Sequence, residues 1–187
     1  MRHNPTISSP KLWGTALAVA LGGLICHFYW PVVSQPDYHV LSSAGDGAKN
    51  YYTFLYHVVN DEHLLIGDGF NYPYGELVFY SDGHPALSWL LRALPFAQPH
   101  AVGILNLLLL SGLIVYGLCV SAILRRFGLP SWTAAVGAFG VTMLQPQLFR
   151  MEGHLALAHC YLLPLAWYMH LLSLSPGRAW RWSIVLC

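Results

Sequence analysis

Leu12 to Trp30 reads L-W-G-T-A-L-A-V-A-L-G-G-L-I-C-H-F-Y-W, with no Lys, Arg, Asp or Glu and a single histidine, His27, near its end. Its length is close to the ~20 apolar residues that a membrane-spanning helix needs. The run closes on His27-Phe28-Tyr29-Trp30-Pro31, an aromatic girdle of the kind found where a span meets the headgroups. A cleaved signal peptide would have a shorter apolar core, ~7–15 residues, followed by a small-x-small site. Ile25 before Cys26 also argues against a lipoprotein cleavage site. The first run is therefore read as an uncleaved span over residues 12–30.

Composition agrees. The chain has 187 residues, of which 56% are hydrophobic and only 9% charged, against ~25% charged in a soluble domain. A net charge of +1 gives nucleic acid no electrostatic footing. Three of the four cysteines, Cys26, Cys119 and Cys160, lie within apolar runs and Cys187 is last. Their spacing matches neither a disulfide framework nor a metal motif.

Three further runs have spanning character, at 101–124, 131–148 and 155–174. Asn106 is the one strongly polar side chain of the second run and should face other helices. The third run is rich in Gly and Ala, which permit close helix packing, and breaks near Gln145-Pro146. The fourth carries His159 near its start, Pro164 in its middle and His170 deeper. The apolar run that starts at Ser183 stops at Cys187, so the chain is expected to be the amino-terminal part of a larger protein. The expected fold is all-α: one membrane domain over 1–187, a polytopic transmembrane helix bundle with interfacial helices in a long first outer loop, 31–100. With the N-terminus in the cytoplasm, Arg2, Lys11, Arg125, Arg126, Arg178 and Arg181 fall inside, and Lys49, Arg92 and Arg150 outside. That split fits the positive-inside rule. It also places all eight acids outside.

In the outer loop, Ala44 to Asn60 has helical periodicity. Asp46, Asn50, Thr53 and His57 fall on one side; Ala48, Tyr51, Tyr52, Leu55, Val58 and Val59 fall on the other. Such a helix should lie flat in the interface with Tyr51, Tyr52 and Leu55 inserted. Asp46, at its start, either caps the helix, faces whatever docks there, or does both. Gly67 to Glu76 has the Gly, Pro and Asn content of an irregular loop. A second short helix should start at Ser81-Asp82-Gly83-His84-Pro85, capped by Ser81 or Asp82, and stop at Pro95.

This layout resembles the GT-C superfamily of membrane glycosyltransferases. At finer grain, G-D-G-A-K-N-Y-Y-T-F-L-Y-H (45–57), N-Y-P-Y-G-E (71–76), D-G-H-P (82–85) and R-M-E-G-H (150–154) resemble a family of large bacterial membrane proteins grouped with YfhO-like and other GT-C-like proteins. The resemblance implies a multi-pass protein of the bacterial cytoplasmic membrane. Its implied activity is transfer of a sugar from a polyprenyl-phosphate donor at the outer face. By position Asp46 matches the superfamily's essential loop acid, although it stands beside Gly47 where many members carry paired acids. In an inverting transferase Asp46 would take the proton of the acceptor hydroxyl. Lys49, Arg150 or Arg92 would meet the departing phosphate, Lys49 alternatively forming a surface pair with Asp46 one turn away. The segment carrying Arg150, Glu152, His154 and His159 is expected to meet the Asp46 stripe around one outward-facing cavity, and Asn50, His57, Asn71, Tyr72, Glu76 and His84 complete the expected substrate site; His84 alternatively packs at the interface. Glu152, His159 and His170 share a face if the fourth helix starts early. Glu152 and His159 either hold a divalent metal with a loop acid or make interior hydrogen bonds. The aromatic cluster Tyr51, Tyr52, Phe54, Tyr56, Phe70, Tyr72, Tyr74, Phe79 and Tyr80 suits a headgroup or sugar site and an aromatic belt equally. The other class of function open to this scaffold is a non-catalytic transporter or envelope-assembly protein.

Overall fold

The computed structural model describes residues 9–69 and 71–174. Arg2, Phe70, Arg178, Arg181 and the run after Ser183 lie outside the described residues. In chain order the helices are α1 (Pro10–Phe28), α2 (Trp30–Ser34) and α3 (Asp46–Val59), then a hairpin of β1 (Ile66–Gly67) and β2 (Glu76–Leu77). After these come α4 (Pro85–Arg92), α5 (Ala101–Arg126), α6 (Ser131–Leu144), α7 (Pro146–Arg150) and α8 (Leu162–Ser173). Short 3-10 turns stand at Val78–Tyr80, Pro95–His100 and Leu155–Ala158. Among the described residues three helical stretches are long and apolar enough to cross a membrane: Pro10–Phe28, Pro95–Arg126 and Leu155–Ser173.

The run expected to span over 131–148 is different. Gln145 is extended, with ψ 150, as the residue before a proline tends to be. The chain re-enters a helix only as the short α7. That leaves α6 with 14 residues, about 21 Å of rise against a hydrocarbon core of about 30 Å. The fourth run is also not one smooth helix. It opens as a 3-10 turn over Leu155–Ala158, breaks at His159 and becomes α-helical only at Leu162. Pro164 therefore sits in the first turn of α8, where its missing N–H costs little. Because of the break, Glu152, His159 and His170 do not share one helical face.

The described residues form two compact units. The first comprises 9–24, 111–145 and 160–174. Leu17, Leu21, Ala135 and Ala138 form its core, with Trp13, Ile114, Leu118, Phe139 and Met143 packed around them. Gly117 permits the close approach: a Cβ there would stand 2.6 Å from Leu21 Cδ1 and 3.0 Å from Thr142 Oγ1.

The second unit comprises 25–69, 71–110 and 146–159 and holds every candidate site residue. Its core is Tyr51, Phe54 and Val58 of α3, Val78, Leu91 of α4, Leu105 and Leu109 of α5, Met151 and Leu155. Buried Asn106 organises the entry to α3. Its amide donates to Pro36 O at 2.8 Å and His39 O at 2.7 Å, and its Oδ1 accepts from the Tyr51 hydroxyl. Asp37 repeats the device at the start of α5, taking His100 Nδ1 at 2.8 Å and Gly103 N–H at 3.1 Å.

Helix α3 has the expected limits, and Asp46 is exposed as expected, but the rest of its polar stripe turns inward. Asn50, Thr53 and His57 are buried, whereas Tyr52 and Val59 are exposed and Leu55 is half-buried. Of the three residues expected to insert, Tyr51 is in the protein core. The reason is hydrogen bonding. Asn50 donates to Gly153 O at 3.2 Å, Thr53 Oγ1 donates to Lys49 O at 3.0 Å, and His57 pairs with Asp61. Each of these three residues makes at least one internal hydrogen bond, which offsets part of the cost of turning that face inward.

Candidate functional site

Two distant segments meet at the start of α3. The Ser42 hydroxyl donates to Glu152 O, Asn50 to Gly153 O, and His154 Nδ1 stands 3.8 Å from Asp46 Oδ2. The turn 151–154 is thereby fastened along the first turn and a half of α3. Both side chains of the Asp46–His154 pair remain open to solvent, at 58% and 45% exposure, so the pair is reachable by a ligand. Asp46 does not cap. It is the first helical residue after Gly45, whose φ of 53 suits glycine, and no side-chain cap bond is present. Its charge still lies at the positive end of the helix dipole.

Gly47 is part of the fastening. A Cβ on it would stand 2.3 Å from Ser42 Oγ, so the segment before α3 can lie against the helix only because position 47 has no side chain. Lys49 does not pair with Asp46. It reaches across to Asp82 at 3.4 Å, an exposed contact that contributes little to stability.

The same unit holds two further histidine arrangements. His84 Nδ1 is 3.0 Å from His159 Nε2, with the Phe54 ring edge-on to His84 at 5.6 Å between centroids. Burial, helped by the neighbouring His159, pulls the His84 pKa down to about 3, so His84 is neutral near pH 7. His84 also has a left-handed backbone, φ 48, as does Asp82 with φ 59. Neither Ser81 nor Asp82 caps α4: the Ser81 hydroxyl donates back to Val78 O, and His84 is the residue that precedes the helix. In the second arrangement His57 Nδ1 is 2.6 Å from Asp61 Oδ2, while Asp61 Oδ1 accepts the Asp68 N–H at 2.8 Å. Both side chains are almost fully buried. His57 Nε2, His84 Nε2 and Asn50 Oδ1 are buried and make no hydrogen bond.

The expected substrate-site residues therefore divide. Asp46, Asn50 and the 150–154 turn come together, and His84 meets His159. His57 and His84 are interior and closed to a ligand in this conformation. Asn71 turns its amide back onto Gly75 O, and Tyr72 is 90% exposed. Glu76 pairs through its backbone with Gly67 in the hairpin. None of the described hydrogen bonds of Asn71, Tyr72 or Glu76 reaches Asp46 or the 150–154 turn. Arg150 ends α7, and its carbonyl accepts the His154 N–H at 2.7 Å. Arg92 is committed elsewhere: its guanidinium donates to His57 O, Glu62 O and His63 O. Glu152 is exposed and His159 faces His84. No group of three His, Cys, Asp or Glu side chains among the described residues is arranged to hold a metal ion.

A family model described as Domain of unknown function (DUF6311) matches residues 16–187. The chain belongs to that family. Comparison with curated proteins and with solved structures gives no match. In this DUF6311 chain the residue that sequence reasoning passed over is Asp61. Asp61 was legible through its i,i+4 spacing from His57, which places the two side chains on one helix face. His154 was legible in R-M-E-G-H, the segment expected to meet the start of α3, and it is the member of that segment that stands beside Asp46.

Proposed function

We propose that this chain is the membrane portion of a lipid-linked sugar transferase, with its site around Asp46 at the outer face of a bacterial cytoplasmic membrane. The observation that carries the reading is the solvent-open Asp46 carboxylate 3.8 Å from His154, fixed at a helix start by the 152–154 turn. An acid base-catalyst has to reach its substrate and be held rigidly, and the fastening of the turn to α3 supports both. Asp46 takes the proton of the acceptor hydroxyl as its oxygen bonds to the sugar's anomeric carbon. The bond from that carbon to the phosphate oxygen breaks, and the electron pair leaves with the polyprenyl phosphate. Arg150, four residues before His154, supplies positive charge for that phosphate.

The wider frame belongs to the same proposal. The three long apolar stretches cross the membrane, α6 packs with them in a polytopic bundle, the N-terminus is cytoplasmic, and residues 31–100 lie outside. Reconstitution of the full-length protein in liposomes with a polyprenyl-phosphate sugar tests the activity. The expected result is time-dependent release of polyprenyl phosphate in the presence of an acceptor. If no donor tried releases it, the transferase reading falls and a non-catalytic role on the same scaffold takes its place.

A further inference from the structure

The β1–β2 hairpin is apolar on the side where a soluble hairpin would be polar. Ile66 and Leu77 are cross-strand partners, and both are exposed, as are Leu64, Leu65 and Phe79. Gly67 and Val78, by contrast, are buried. Two hydrogen bonds and one ring contact tie the segments that carry these exposed residues to one another and to α4. Val78 N–H donates to Leu65 O at 3.0 Å, Trp89 Nε1 donates to Leu64 O at 2.6 Å, and the Phe79 and Trp89 rings meet edge-on at 5.8 Å. An antiparallel hairpin with one face on the core normally turns polar side chains outward. A contiguous exposed apolar patch marks a surface that something covers.

We propose that this patch, made of Leu64, Leu65, Ile66, Leu77, Phe79 and Trp89, seats in the interfacial layer of the lipid bilayer. Chain connectivity identifies the occupant. Trp89 is six residues before Pro95, where the apolar stretch Pro95–Arg126 begins. Even fully extended, six residues cover only about 22 Å, so the patch cannot stray far from the surface that this stretch enters. Its make-up fits that layer: aliphatic side chains around an indole and a phenyl ring. Glu62, Asp68, Glu76 and Asp82 are the charged residues between 62 and 91, and no Lys or Arg occurs there. The seating therefore comes from apolar burial, without attraction to anionic lipid. It lies on the hairpin and α4, not on the Tyr51, Tyr52 and Leu55 face of α3.

The test uses the full chain with its four cysteines replaced by alanine. A single cysteine is placed at Leu65 or Phe79, with exposed Ser43 as the reference position, and labelled with an environment-sensitive fluorophore. The protein is reconstituted in phosphatidylcholine vesicles with or without bromine near the top of the acyl chains. At 65 and 79 the emission should shift to the blue, brominated lipid should quench it at least twofold more than at 43, and aqueous iodide should quench it less. Adding anionic lipid should not strengthen the effect. Water-like emission at 65 and 79, with iodide quenching equal to that at 43, overturns the proposal. So does shielding that is insensitive to bromine and disappears when each vesicle holds one chain, since a second copy would then be the cover.

Discussion

Replacing Asp61 by alanine would leave His57 Nδ1 without its acceptor in a closed interior and free the Asp68 N–H as well. Loss of one partner of such a buried pair costs about 3 kcal/mol, and the variant's unfolding midpoint in detergent should fall accordingly. An unchanged midpoint would mean that water reaches the pair. His84 gives a pH signature. Its pKa is about 3 in the folded chain against the usual 6.5, so between these values the unfolded chain binds the additional proton. The stability that His84 contributes is therefore complete above about pH 6.5 and is lost as pH falls toward 3, by at most about 1.4 kcal/mol per pH unit. Thermal melts from pH 7 to pH 4.5 should show a shallower acid limb in His84→Gln than in the unaltered protein. Equal slopes would remove burial of His84 as a cause. At this scale the sequence displayed the right residues and hid their direction. Asn50, Thr53 and His57 share a stripe, and polarity alone points such a stripe to water. Gly153 O and Asp61 turned it inward, and neither partner can be assigned from periodicity.

Helix α3 is held at its entry by Asn106 and at its first turn by Gly47. Asn106→Ala leaves the Pro36 and His39 carbonyls and the Tyr51 hydroxyl without their partner, a loss of about 1–3 kcal/mol. In a double-mutant cycle with Tyr51→Phe, the two changes should be non-additive; simple additivity would contradict the clamp. Gly47→Val should act on the site more than on the fold, because its side chain displaces Ser42 and with it the hydrogen bond to Glu152 O. Protease nicking near residues 40–45 should rise markedly while helix content by circular dichroism is kept. The limits of α1, α3 and α4 could be read from the sequence within about two residues, since apolar period and the Pro positions mark them. The end of α6 was marked as well, by the break near Gln145-Pro146, but the start of α8 was not. Hydropathy sees an apolar run through His159, whereas the backbone breaks there after the 3-10 turn.

For the whole molecule, membrane character was legible at once from charge scarcity and run length, and three apolar helical stretches carry it. The number of crossings was less legible, since apolar length counts a helix interrupted at Pro146 as one span. With the N-terminus in the cytoplasm, a cysteine at Ser43 should react with an impermeant reagent added outside and one at Ser131 should not; the reverse pattern would invert the orientation. The central claim is that Asp46 works chemically in the site it forms with the 152–154 turn. The direct measurement is turnover of a polyprenyl-phosphate sugar by full-length Asp46→Asn beside the unaltered protein, at matched expression and matched melting temperature. A general base contributes about 10²–10⁴-fold, so kcat should fall at least about a hundredfold with the fold intact. An Asp46→Asn protein that turns over at the normal rate would contradict it.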